Sequence, residues 1–203
     1  MKRSQTTTDT AYAAYLDRSG FVATLRQVPY RAHLRSLDLG FVLDVGCGTG
    51  RNLAHLNGRG IGIDHNATSV EIACDRGFDA LTVRAFAERY PKPVPIFDTL
   101  VFAHVLEHVE ESLAHELLRT YAAYVKSDGR LLLITPQRAG QRSDPTHVRY
   151  CDFAVHRSYL EVAGFSVDSS YSFPFPRFVG NVFVHNEFVS LGHRMADAST
   201  VRP

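Results

Sequence analysis

The segment Phe41-Val42-Leu43-Asp44-Val45-Gly46-Cys47-Gly48-Thr49-Gly50 constrains this chain more than any other. Its first half is a short, nearly continuous apolar run, the pattern of a strand buried on both faces. Its second half puts glycine at alternate positions, so the backbone can turn tightly and approach a ligand with no Cβ in the way. The spacing is G-x-G-x-G, whereas a dinucleotide site needs G-x-G-x-x-G for its pyrophosphate. A cofactor without phosphates fits the shorter form. Ile61-Gly62-Ile63 reads as a second strand, closed by Asp64. From there a carboxylate can accept both hydroxyls of a ribose.

The alternation of strands and helices continues down the chain. Thr68-x-x-Glu71 forms a capping box for a helix stopping at Gly77. Leu81-Thr82-Val83 and Thr99-Leu100-Val101-Phe102 supply a third and a fourth strand. Leu113, Leu117, Leu118, Tyr121 and Val125 line one face of a helix ending before Asp128-Gly129, and Leu131-Leu132-Leu133-Ile134 is a fifth strand halted by Pro136. A helix closes at Gly164, and β segments follow around Phe165-Ser166-Val167 and Val182-Phe183-Val184 with no helix between them. That last strand is therefore expected to run antiparallel. Between Ala11 and Leu37 apolar residues recur at helical spacing, and Pro29 interrupts them, which predicts two amphipathic helices. The expected fold is α/β: a Rossmann-like doubly wound sheet, mostly parallel with an antiparallel last strand, and a helical N-terminal extension. One domain spans the chain, with a helical lid at about 10–37, a core at 41–190 and loose termini.

Bulk properties narrow the function classes. Of 203 residues 45% are hydrophobic, enough for one sizeable core. Lys plus Arg number 22 against 21 Asp plus Glu, so no basic field exists to gather nucleic acid. The opening MKRSQTTTDTAYAAY has no apolar run behind its basic residues, and no stretch is long enough to span a bilayer. Cys47, Cys74 and Cys151 show no C-x-x-C pattern and read as reduced thiols of a cytoplasmic protein.

With LDVGCGTG, IGIDHN, FDTLVFAHVLEHV and VKSDGRLLLITP in order, the chain from Tyr30 to Phe165 resembles the class I S-adenosylmethionine-dependent methyltransferases. The resemblance implies S-adenosylmethionine as methyl donor. It implies Gly46 and Gly48 against the donor's methionine and ribose parts and Asp64 on the ribose. Asp44, Cys47, His65, Ala103 and His104, from the same motifs, are implied around the cofactor. Val28-Pro29-Tyr30-Arg31 is similar to a segment of ubiquinone-type O-methyltransferases in which an arginine meets the cofactor carboxylate, while an ordinary surface arginine would read the same. Many relatives carry an acid for the adenine after the third strand. Here the stretch is Arg84-Ala85-Phe86-Ala87-Glu88, so the backbone of Ala85 and Phe86, or Glu88, is expected to hold it.

His104-Val105-Leu106-Glu107-His108 follows the fourth strand, where this fold opens its cleft. The string also matches an inverted zinc-peptidase pattern, but the glycine loop before it argues against a peptidase. On a helix His104, Glu107 and His108 would share one face. His147, in Ser143-Asp144-Pro145-Thr146-His147, lies in the loop after the fifth strand and is expected to face His108 across the acceptor site. Three roles stay open: His147 or His108 as general base with Glu107 beside them, a divalent cation on His104, Glu107, His108 and His147, or simple caps and pocket lining. No metal is favoured. Tyr12, Tyr15 and Tyr30 are candidates for a lid, and Phe173-Pro174-Phe175-Pro176 with His185-Asn186-Glu187 for the acceptor rim. The expected reaction is methyl transfer to a hydroxyl of a small-molecule acceptor, with no nucleic acid and no membrane span. Its rivals are aminopropyl transfer, RNA methylation and a non-catalytic S-adenosylmethionine-binding protein.

Overall fold

The computed structural model describes residues 21–196. Tyr12, Tyr15 and the first part of the expected lid lie outside them. Helix α1 (Phe21–Ser36) leads into a seven-stranded sheet of order β3-β2-β1-β4-β5-β7-β6. Its strands are β1 (Val42–Val45), β2 (Gly60–Asp64), β3 (Ala80–Thr82), β4 (Phe97–Ala103), β5 (Val125–Pro136), β6 (Phe165–Phe173) and β7 (Glu187–Arg194). β1 is hydrogen-bonded in parallel on both sides, Val42 opposite Gly60 on β2 and Thr99 on β4, which is why every residue of it is buried. The chain reverses its direction of travel across the sheet between β1 and β4. Connections leave the two strands toward opposite sides there, and a crevice opens at their carboxyl ends.

Strand alternation divides the core in two. Leu43, Phe102, Leu133 and Phe165 face one layer with Leu118 and Tyr159, while Val42, Val101, Leu132 and Val189 face Leu34 and Leu53. Helices α2 (Arg51–His55), α3 (Ala67–Asp75), α4 (Val83–Arg89), α5 (Glu111–Ala122), α6 (Arg138–Ser143) and α7 (Phe153–Val162) complete the layers. No helix among the described residues is long and apolar enough to cross a membrane.

The expected sheet is present, and its departures have local causes. α1 runs through Pro29 as one helix where an interruption is expected. The missing N–H forfeits one bond, and Leu34, buried beyond it, keeps the helix packed. α3 is capped by Asn66, whose Oδ1 accepts the Ser69 N–H at 3.2 Å, so the expected Thr68 box is not the cap. Val125 pairs with Phe97 in β5 instead of extending α5. Val182-Phe183-Val184 is not a strand: a short 3-10 helix, Arg177–Asn181, precedes it, and the antiparallel strand is Glu187–Arg194. β7 inserts between β5 and β6, antiparallel to both.

Candidate functional site

A cleft of about 510 Å³ lies at the carboxyl ends of β1, β2 and β4. The glycine loop forms one wall. Gly46 (φ 76°) and Gly48 (φ 53°) occupy left-handed backbone, and a Cβ on Gly46 would lie 2.2 Å from Val105 Cγ2. The loop is tied to the end of β2: Gly46 N–H donates to the Ile63 carbonyl at 2.7 Å, and Gly48 N–H to Asp64 Oδ2 at 2.8 Å. Asn66 N–H donates to Asp64 Oδ1 at 2.8 Å. A carboxylate has about four acceptor sites, so Asp64, fixed by two backbone donors, keeps capacity for a ligand's hydroxyls.

Gly46, Cys47, Gly48, Asp64, His65, Ala103, His104 and His108 all line this cleft. Five other expected cofactor or adenine contacts do not. Asp44 is fully buried behind the loop, where burial, only partly offset by the 3.1 Å bond from Asn52, pushes its carboxyl up to about 6. Asn52 is the residue that reaches the cleft. Ala85 N–H is taken by the Thr82 hydroxyl that caps α4, and the Phe86 side chain packs on Tyr90, Tyr121 and Tyr124. Glu88 pairs with Arg84 at 3.1 Å on the exposed face of α4. Arg31 is exposed on α1 and lines no part of the cleft, whereas Arg51, immediately after the glycine loop, does.

The sequence reading also missed the apolar wall. Val83, Val105, Val109, Leu113, Leu117 and Tyr121 face the cleft. Helical periodicity puts Leu113 and Leu117 on one face with Leu118 and Tyr121, but it does not say what covers that face. Exposure is the mark that separates them, since Leu113 stays 43% exposed while Leu118 is fully buried.

His104 is not on a helix with its neighbours. Its φ of 61° is left-handed, and only Leu106–His108 form a 3-10 turn. The kink turns His104 between two carboxylates: Nδ1 lies 3.3 Å from Glu107 Oε1 and Nε2 lies 2.9 Å from Glu187 Oε1. Burial alone would lower this imidazole, but Glu187 and Glu107 together outweigh it and raise it to about 10. Glu107 is wholly buried, which favours its neutral form, yet the His104 charge beside it holds its carboxyl below the usual value. On the other flank Tyr30 reaches the same region, donating to the His185 carbonyl at 3.2 Å and packing edge-on against Phe173.

His108 and His147 are neighbours in edge contact, ring centroids 4.6 Å apart, and do not oppose each other across an open site. Only His108 lines the cleft. The Thr146 hydroxyl donates to Asp144 Oδ1 at 2.6 Å and lies 3.0 Å from His108 Nδ1. Having given its own proton to Asp144, it accepts from His108 Nδ1–H, which leaves Nε2 with the lone pair. Burial, the largest influence, and the nearby His147 hold the His108 imidazole below its ordinary value despite Glu107 and Asp144. His147 Nδ1 lies 3.2 Å from the Gln141 carbonyl, behind His108. Ligand atoms of Glu107, His108 and His147 lie within 4.8 Å of one another, a set that could hold a cation. His104, expected in that set, is paired with Glu187 instead.

A family model described as a methyltransferase domain matches residues 13–165. No curated protein sequence matches the chain. Among solved structures, an Aquifex aeolicus SAM-dependent methyltransferase is 19% identical with a TM-score of 0.68, over 92% of this chain and 99% of that one. An Archaeoglobus fulgidus SAM-dependent methyltransferase is also 19% identical, with a TM-score of 0.65 over 86% and 100%. Magnesium protoporphyrin IX methyltransferase from Synechocystis, with bound SAH, is 15% identical with a TM-score of 0.65 over 93% and 96%. At such identities the likeness to these structures is one of fold.

Proposed function

We propose a reaction on one premise: the chain belongs to the class I S-adenosylmethionine-dependent methyltransferases, and it is an enzyme of methyl transfer. The acceptor is the hydroxyl of a small molecule, and His108 is the base that takes its proton. The observation that carries this reading is the Asp144–Thr146–His108 chain, which leaves Nε2 of a cleft-lining imidazole free to accept.

The residues of the cleft fit the donor. Asp64 is held by Gly48 and Asn66 with acceptor capacity to spare, suiting two ribose hydroxyls. Ile63, Val83, Leu113 and Leu117 offer apolar surface for a planar base, and the loop at Gly46 has no room for a side chain. The bound donor supplies a methyl already made electrophilic by a positively charged sulfur. The protein's share is alignment and proton removal: the acceptor oxygen attacks as His108 Nε2 takes its proton, and the S–CH₃ bond breaks as the O–CH₃ bond forms. Asp144 and Glu107 then stabilise the imidazolium. Near-zero net charge favours a small acceptor over nucleic acid. Unpaired thiols at Cys47, Cys74 and Cys151 suit a reducing, cytoplasmic setting.

Asp64→Ala is expected to weaken S-adenosylmethionine and its demethylated product by more than tenfold, about 1.5–3 kcal/mol, in calorimetry. Unchanged affinity would remove Asp64 from the donor site. The acceptor is sought by incubating metabolite extracts with labelled donor; label appearing only in RNA would overturn the small-molecule reading.

A second reading has its own observation, the Glu107–His108–His147 cluster. There a divalent cation would acidify the acceptor hydroxyl. We favour the base because the buried Glu107 charge is already matched by His104. Activity is therefore expected to survive chelator. Activity lost on chelation and restored by a divalent ion would reverse the choice.

A further inference from the structure

Away from the donor cleft the described surface holds a hollow of about 350 Å³. Its walls come from the start of α6, the 3-10 helix Arg177–Asn181, Tyr150 and the start of β7. Gln137 forms a rigid floor: its Nε2 donates to Ser172 Oγ at 2.7 Å and the Glu187 carbonyl at 3.1 Å, and its Oε1 accepts from Asn186 at 3.1 Å. Two guanidinium groups, Arg138 and Arg177, stand at the rim, both exposed. The Arg177 guanidinium is stacked 5.6 Å from the Phe153 ring centre and 5.3 Å from that of Phe188.

Among the described residues neither guanidinium meets a carboxylate, whereas Arg84, Arg89 and Arg149 each pair with one. Asp152, two residues after Tyr150, is engaged by the Ala154 and Val155 N–H groups at 3.0 and 3.3 Å. Tyr150 lines the same hollow as the two guanidiniums; burial raises its hydroxyl above the ordinary value, with Arg138 and Arg177 opposing that rise and Asp152 adding to it. Two guanidiniums with no carboxylate partner, a phenol hydroxyl beside them and the exposed ring of Phe178 make a complementary shape for one ligand chemistry.

We propose that this hollow binds a small molecule carrying a carboxylate or phosphate next to an aromatic ring, with Arg138, Arg177 and Tyr150 holding the anion. The assignment is independent of the methyl-transfer reading. The anion could belong to the methyl acceptor itself or to a separate metabolite, and both present the same chemistry to these residues.

The test titrates the full chain with phenyl phosphate and with inorganic phosphate, followed by calorimetry or NMR. Phenyl phosphate is expected to saturate a single site and to bind more tightly than inorganic phosphate. Arg138→Gln with Arg177→Gln is expected to weaken it by at least about tenfold, with S-adenosylhomocysteine binding unchanged as the check on folding. Phenyl phosphate that inhibits transfer of label to extract acceptors in competition with them assigns the site to the acceptor's own anion. Binding that leaves transfer unchanged assigns it to a separate ligand. No saturation, or equal affinity in the double variant, overturns the proposal. Donor binding that fails in the wild type while phenyl phosphate binds would leave this site standing and the methyl-transfer reading fallen.

Discussion

His108→Ala is expected to lower turnover by about a hundredfold to ten-thousandfold, with S-adenosylhomocysteine still bound at near wild-type affinity. The split between the two measurements is what distinguishes a base from a wall of the pocket. His108 offers Nε2 to the cleft because Thr146, committed to Asp144, fixes the proton on Nδ1. Its depressed pKa sets the pH dependence. The competent form is the neutral one, so activity holds from neutrality upward and falls only as pH drops below the ordinary value of 6.5. His147→Ala, by contrast, removes a group behind His108 and should cost far less, because His147 has no place on the cleft. Equal losses for the two variants, with restoration by a divalent ion, would transfer the role to a bound cation. A His108→Ala enzyme of undiminished turnover would leave alignment of donor and acceptor as the whole source of catalysis.

His104→Ala is expected to destabilise the fold by about 3–5 kcal/mol, the scale for leaving a buried charge without its partner. Glu107 is fully buried and Glu187 nearly so, and the imidazolium is their shared cation. The direction with pH follows from the raised pKa. An imidazole moved from 6.5 to about 10 contributes all of its stability below 6.5 and loses it as pH rises through about 10. Denaturant melts at pH 7 should therefore separate wild type from variant widely, and the gap should close by pH 10.5. Because position 104 is left-handed, His104→Asn serves as a second variant, asparagine tolerating that backbone better than alanine. Wild-type stability in both variants would show that the carboxylates are neutral and the triad uncharged.

The sheet was legible because its signals are local. Buried strand runs, alternate glycines and an acid at a strand end each announce themselves within a few residues, and β1 to β5 lie close to where those signals put them. Of the candidate site, the glycine loop, Asp64 and His108 line the cleft as expected, and the rest of its lining was poorly legible. Helical spacing suggested that His104, Glu107 and His108 share a face, but one left-handed residue sends His104 to Glu187, 83 positions away. No pattern in the string encodes that pairing. Arg31 sits in a family-like segment but lines no part of the cleft, whereas Arg51 does. Of the backbone groups expected at the adenine, the Ala85 N–H is taken by the Thr82 hydroxyl.

The strand order carries a consequence for how this enzyme is made. Among the described strands β7 is the last to be synthesised, yet it occupies an interior place, between β5 and β6. Until it arrives, β5 presents a bare edge of unpaired backbone groups, and β6 has no strand to pair with. Glu187 is the first residue of β7, so His104, already beside Glu107, gains its second carboxylate only at the same moment. The sheet and the charge pairing around His104 are thus completed by one late, long-range event, the kind that slows folding. A nascent chain stalled before Glu187 would carry the glycine loop and every residue that lines the donor cleft, together with an exposed strand edge that invites association with its siblings.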